Sequence, residues 1–143
     1  MRMIFIILLG LSSLSFADFT KSRGVVTDSG TQLEWQDDYS DNGGDIKSAR
    51  WQEAIDYCEA LSLDAKSDWR LPNVRELLSL VNDKTNSPAI NTVFERTSLN
   101  QYWSATSTSS DHSSTWVINF DYGRMRNHYK IKKYYVRCVR AGE

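Results

Sequence analysis

The chain has 143 residues, 41% of them hydrophobic and 24% charged, with seven glycines and two prolines. That length is that of one ordinary domain, enough to bury a core. A net charge of −1 excludes a surface of one sign overall, so a charged partner has to be met by a local patch.

The first element is an export signal. Met1-Arg2-Met3 is followed by an apolar run from Ile4 to Leu11 and by Ser12-Ser13-Leu14-Ser15-Phe16-Ala17. A basic start, a short apolar stretch and a small-x-small ending predict a signal peptide over 1–17, cleaved after Ala17. The run falls short of the roughly 20 residues that cross a bilayer. The expected mature chain, 18–143, is therefore one periplasmic or secreted domain with no membrane span. Nucleic acid suits parts of its charge but not this compartment.

The mature chain then reads in order. Gly24 to Thr27, Asp28-Ser29-Gly30 and Thr31 to Trp35 form a hairpin, with Leu33 and Trp35 on one face of the second strand. Asp37 to Asp45 is a polar, acidic loop. Trp51, Ile55, Cys58 and Leu61, with Ala54 beside them, recur at helical spacing and predict a helix over 48–63 with the thiol on its buried face. Asn73 with Glu76 three residues on is a capping box behind Pro72, and Val74, Leu77, Leu78 and Val81 give the second helix one apolar stripe. Tyr102 to Thr106 is a short strand. Ser107 to Ser114 is a serine- and threonine-rich segment, expected to be mobile. Trp116, Ile118 and Phe120 alternate with Val117 and Asn119 as a half-buried strand. Asp121 to Arg124 turns the chain into a strand near Met125–Tyr129, and Tyr134 to Arg140 closes the domain, with Val136 and Cys138 on one face. This is an α+β domain.

Cys58 and Cys138 are the only cysteines, and in an exported chain they are expected to bond. Closing a loop of about 80 residues stabilises by roughly 4–5 kcal/mol in the chain-entropy account. Metal binding by the pair is the weaker alternative, because there is no CxxC and His112 and His128 are not spaced as partners.

Several of these residues resemble a known family in order and spacing. They are Trp51-Gln52-Glu53-Ala54 with Tyr57-Cys58, Asp68-Trp69-Arg70-Leu71-Pro72-Asn73 with Glu76-Leu77, Tyr102-Trp103-Ser104, Trp116 and Phe120 before Gly123, and Tyr135-Val136-Arg137-Cys138-Val139-Arg140. The chain is similar to the Lcl C-terminal domain family, the C-terminal domain of a bacterial collagen-like adhesin. The resemblance spans about Thr27 to Arg140. It implies a C-type-lectin-like fold with two helices, a small twisted antiparallel sheet and a disulfide from first helix to last strand. Two departures matter. No Gly-x-y stretch offers a trimeric stalk. The Glu-Pro-Asn or Gln-Pro-Asp loop and later Trp-Asn-Asp of calcium-dependent lectins are missing, so calcium-bridged sugar binding is not implied.

The charges suggest the candidate sites. Asp18 to Lys66 carries eleven acids and five bases, whereas Tyr122 to Arg140 carries seven bases and no acid. Arg124, Arg126, His128 and Lys130 alternate along a strand, so they share a face where sulfated or carboxylated sugars could meet them; Lys132 and Lys133 extend the patch. Asp37, Asp38, Asp41, Asn42 and Asp45 offer oxygens for a weakly held calcium ion. A solvated acidic turn is the plainer expectation, since the twelfth position of an EF-hand reading is Ala49 rather than glutamate. Trp69, Arg70, Pro72, Asn73 and Glu76, with Trp103 and Trp116, are expected to be structural, Arg70 pairing with an acid. Asp111-His112-Ser113 has the letters of a triad, but neighbours in one loop cannot converge as triad members do. With no nucleophile, base and metal brought together, the expectation is a non-enzymatic recognition module. Its partner would be a carbohydrate or a surface protein, with a structural subunit of an envelope assembly as the alternative.

Overall fold

The computed structural model describes residues 18–142, and the predicted signal segment lies outside them. In chain order the elements are β1 Phe19–Ser22, β2 Val25–Asp28, β3 Leu33–Gln36, a 3-10 turn Ser40–Asn42, β4 Ser48–Ala49, α1 Trp51–Ala60 and α2 Val74–Leu78. They continue with β5 Gln101–Ser107, β6 Ser114–Asn119, β7 Arg124–Tyr129, β8 Tyr134–Tyr135 and β9 Val139–Ala141. The α+β class holds, but there are two sheets where one was expected. One runs β1-β2-β3-β9, all antiparallel. The other runs β4-β8-β5-β6-β7 and is mixed, because β8 lies parallel to β5. Strand β1 has no alternating pattern strong enough to announce it.

The closing segment is not one strand. β8 ends against β5, and β9 begins against β3, so 136–138 crosses from one sheet to the other. Val136, Arg137 and Cys138 are all buried there. Cys138 meets Cys58 of α1 in a disulfide with a Cα–Cα distance of 5.5 Å, so the first helix is bonded to the crossover between the sheets.

Both faces of β6 are covered, which corrects the half-buried reading. On one side Val117 packs with Trp103, Ala54, Cys58, Leu61 and Trp69. On the other, Ile118 and Phe120 pack with Tyr102, Leu77, Leu80 and Ile90. A strand buried on both faces reads as a mixed apolar run rather than a clean alternation. Neighbours Val25 and Val26 likewise enter different clusters, as strand alternation requires.

Helix α1 is shorter than its apolar stripe: Ser48–Ala49 pairs with β8, and Leu61 leaves the helix in an extended conformation. Helix α2 begins as its sequence dictates. The Asn73 side chain accepts from Glu76 N–H at 2.8 Å, and Glu76 returns the bond to Asn73 N–H at 2.9 Å. It stops at Leu78, which is 41% exposed, and Leu80 enters the core instead. The turn before β7 needs Gly123: its φ is +75°, and a Cβ there would collide with the Val81 side chain. Within the Ser107–Ser114 segment Thr108 is buried and bonds Asp111 C=O through its hydroxyl and Ser114 C=O through its N–H.

Candidate functional site

The six predicted cationic residues separate into two groups. Strand β7 is the outer strand of its sheet, and Arg124, Met125, Arg126, Asn127 and Tyr129 are all exposed. Its register with β6 pairs Arg124 with Asn119, Arg126 with Val117 and His128 with Thr115, so these three share a face. Arg124 lies 5.7 Å from the Tyr122 ring centroid. Lys132 and Lys133, exposed in the following turn, extend the charge.

His128 and Lys130 do not belong to this free set, which corrects the expectation of a continuous ligand-facing row. The Lys130 ammonium donates to Ser107 Oγ at 2.8 Å and to His112 C=O at 2.6 Å. It also sits 3.9 Å from the Trp51 ring centroid. His128 bonds the Tyr134 hydroxyl through Nδ1 at 2.9 Å and meets that ring edge-on. Burial holds its pKa below the usual 6.5, and the nearby Arg126 and Lys132 charges lower it further. Beside this end of β7 lies a polar cleft of about 330 Å³, bordered by Thr108, Ser110, Asp111, Asn127, His128 and Tyr129.

The carboxylates of the acidic loop are engaged separately rather than gathered. The Asp37 side chain is fully buried and held by two cations: Lys21 at 2.8 Å and Arg137 at 3.1 Å. It also accepts from the backbone N–H groups of Glu95 at 2.9 Å and Arg96 at 3.0 Å. Burial pushes its pKa up, but Arg137, Lys21 and those N–H groups outweigh this and hold it below the usual 3.8. Asp38 accepts from Ser40, and Asp41 from the Tyr57 hydroxyl at 3.2 Å, while Asp45 stays exposed. Among the described residues no three His, Cys, Asp or Glu side chains converge to hold a metal.

Arg137 is the residue to which sequence reasoning assigned no role beyond its place among the seven bases. It was counted within the basic stretch, yet its side chain is fully buried at the crossover. Its guanidinium donates to Gln36 C=O at 2.6 Å, Arg96 C=O at 2.5 Å and Thr97 Oγ1 at 3.0 Å as well as to Asp37. The Phe94 ring centroid lies 4.6 Å away. Arg140 is also buried and is paired with Glu34 and Asp68. Tyr135-Val136-Arg137-Cys138, apolar around a lone cation, was the one available signal, because a segment buried on all sides leaves an arginine nowhere to reach water.

The tryptophan-containing motif is built into the scaffold. Trp69 is buried and donates its indole N–H to Lys66 C=O at 3.1 Å, while Pro72 C=O accepts from Ala105 N–H at 2.7 Å. Arg70 grips Glu76 with two bonds of 2.7 Å, and the Arg70 backbone exchanges hydrogen bonds with Val139. Trp103 is buried and donates to Ala49 C=O at 2.7 Å, and Trp116 is half-buried. Motif and terminal strand therefore hold each other, and the Lcl C-terminal domain pattern matches the chain over residues 24–140.

The chain belongs to the Lcl C-terminal domain family.

No curated protein matches it. Membership in the Lcl C-terminal domain family points to an adhesion-related module. The disulfide is consistent with an oxidising compartment, extracellular or periplasmic. Among the described residues no helix is long and apolar enough to cross a membrane. In this Lcl C-terminal domain the matched Trp69, Pro72, Trp103 and Cys138 lie in the scaffold, whereas Arg124 and Arg126 lie on the open edge.

Proposed function

We propose that this domain is an exported, non-enzymatic recognition module that engages an anionic partner at a cell surface, a sulfated or carboxylated glycan or a surface protein. The scaffold is read as C-type-lectin-like, supported by the strap from first helix to closing segment and by the order of the elements. Its N-terminal segment is read as a cleaved signal that delivers it to the periplasm or beyond. The observation that carries the reading is the pair Arg124 and Arg126, exposed and outside every ion pair among the described residues. Arginine forks match sulfate and carboxylate oxygens two at a time, and the lysines of the turn add point charges.

Retention on immobilised heparin tests the charge reading. The mature protein is expected to bind at low ionic strength and to elute as salt shortens the screening length to ~5 Å. Arg124→Glu/Arg126→Glu with Lys132→Glu/Lys133→Glu should abolish retention at an unchanged melting temperature. Full retention by that folded variant would remove the reading.

The second reading is a structural subunit of an envelope assembly. It is favoured by exposed Tyr122, Met125, Tyr129 and Ile131 around the same strand. A glycan array set against a pull-down from periplasmic extract separates the two.

A further inference from the structure

The hydrogen-bond register of β7 carries more than its charge. The Lys130 N–H donates to Ser113 C=O at 3.0 Å, which continues the β6–β7 pairing by one step beyond Ser114 with Tyr129. In an antiparallel ladder the pairs that exchange hydrogen bonds alternate with pairs that do not. Lys130, His128, Arg126 and Arg124 therefore turn their backbone groups inward to β6. Met125, Asn127 and Tyr129 turn theirs to the open side. Tyr129 C=O accepts from Lys132 N–H at 3.1 Å. The N–H and C=O of Met125 and Asn127 and the N–H of Tyr129 have no partner among the described residues.

The side chains around this row alternate in kind. One face presents Arg124 and Arg126, while the other presents Met125 at 46% and Tyr129 at 58% exposure. Edges are commonly guarded by cations against indiscriminate pairing. Here the same cations select against one partner in particular. If a second copy paired through β7 about Asn127, Arg124 would face Lys130 at both ends of the paired segment. Like charges directly opposite are unfavourable. A strand with acids on the arginine face and apolar residues on the Met125/Tyr129 face meets no such conflict.

We infer that β7 is a strand-addition site for an extended polypeptide segment that alternates acidic and apolar residues, the partner adding to the sheet through the open groups of Met125, Asn127 and Tyr129. This rests on the reading that β7 is the recognition element and goes further by requiring main-chain pairing, which a glycan cannot supply. Backbone bonds give affinity and alternate side chains give choice of partner, as in other strand-addition complexes.

The test uses the mature, disulfide-bonded protein and a fluorescent peptide of alternating glutamate and valine. Three results are expected. Amide exchange should slow at Met125, Asn127 and Tyr129 and not at Arg124, Arg126 or His128, whose N–H groups are already bonded. N-methylation of the peptide at every second residue should weaken binding by at least ~10-fold. Arg124→Glu/Arg126→Glu should lose the glutamate peptide and gain one with lysine in its place. Equal binding of the N-methylated peptide would overturn strand addition and leave anionic recognition intact. Heparin binding without any peptide binding would do the same and assign the strand to a glycan. A homodimer that competes with the peptide would overturn it in favour of a second copy. Binding of neither peptide nor heparin would remove both readings together.

Discussion

Arg124 and Arg137 are thirteen residues apart in one basic stretch, and the molecule treats them in opposite ways. Arg124 stands on an outer strand beside Tyr122, with water around it. Arg137 lies at the crossover between the sheets, fully buried against Asp37 and flanked by Phe94. Only a surrounding set of acceptors allows a charge to be buried, and the turn at Asp37, the 96–97 segment and Gln36 supply that set. The comparison teaches that a run of cations in sequence is not a surface. The ones that can recognise a partner are those the fold leaves without a partner of its own.

The largest test of this contrast is the strap that positions Arg137. Replacing Cys58 and Cys138 with alanine, or reducing the bond, is expected to cost about 4.5 kcal/mol for a loop of 80 residues. A denaturant titration with and without reductant reads it, and an unchanged midpoint would show that packing alone holds the crossover.

Next comes the buried cation itself. Arg137→Met leaves Asp37 buried with Lys21 alone and should destabilise by about 3–5 kcal/mol. The double change Arg137→Met/Asp37→Leu should recover part of that loss, because it removes the stranded charge. If the double variant is worse by the full sum of the single effects, the pair is not coupled as described.

Acid should act through the same group. The Asp37 pKa is lowered in the fold, so its contribution is complete above the unfolded value near 3.8 and is lost as pH falls through the folded value. Wild type should therefore lose stability below about pH 4, and the Arg137→Met/Asp37→Leu variant should lose less over that interval. Parallel melting curves for the two proteins would contradict this.

The smallest effect belongs to the other end of the comparison. Arg124→Ala and Arg126→Ala should each change stability by no more than about 0.5 kcal/mol, as exposed residues without partners do. A loss above ~1 kcal/mol at either would mean that β7 depends on its cations for folding.

Much of the scaffold was legible because it rests on local rules. The capping box at Asn73 and Glu76 and the hairpin around Asp28-Ser29-Gly30 need only their own neighbours, and both formed as read. The disulfide followed from there being two cysteines in a chain read as exported. The sites were less legible. The loop from Asp37 to Asp45 offered five oxygen-bearing side chains close in sequence, but Asp37 is held by Arg137, a hundred residues on. Lys130 looked as free as Arg126 until Trp51, Ser107 and His112 closed around it.

By itself the sequence determined the family, the α+β class, the capped start of the second helix, the covalent strap and the alternation of arginines along β7, all set by residue pattern or by local hydrogen bonding. Only the tertiary structure decided that the closing segment changes sheets, that Arg137 and Arg140 are buried while Arg124 and Arg126 are not, and that β7 has an open side. The reason is physical. Whether a charge or a backbone N–H is satisfied depends on groups brought to it from far along the chain, and no local pattern records which strand ends up on the outside.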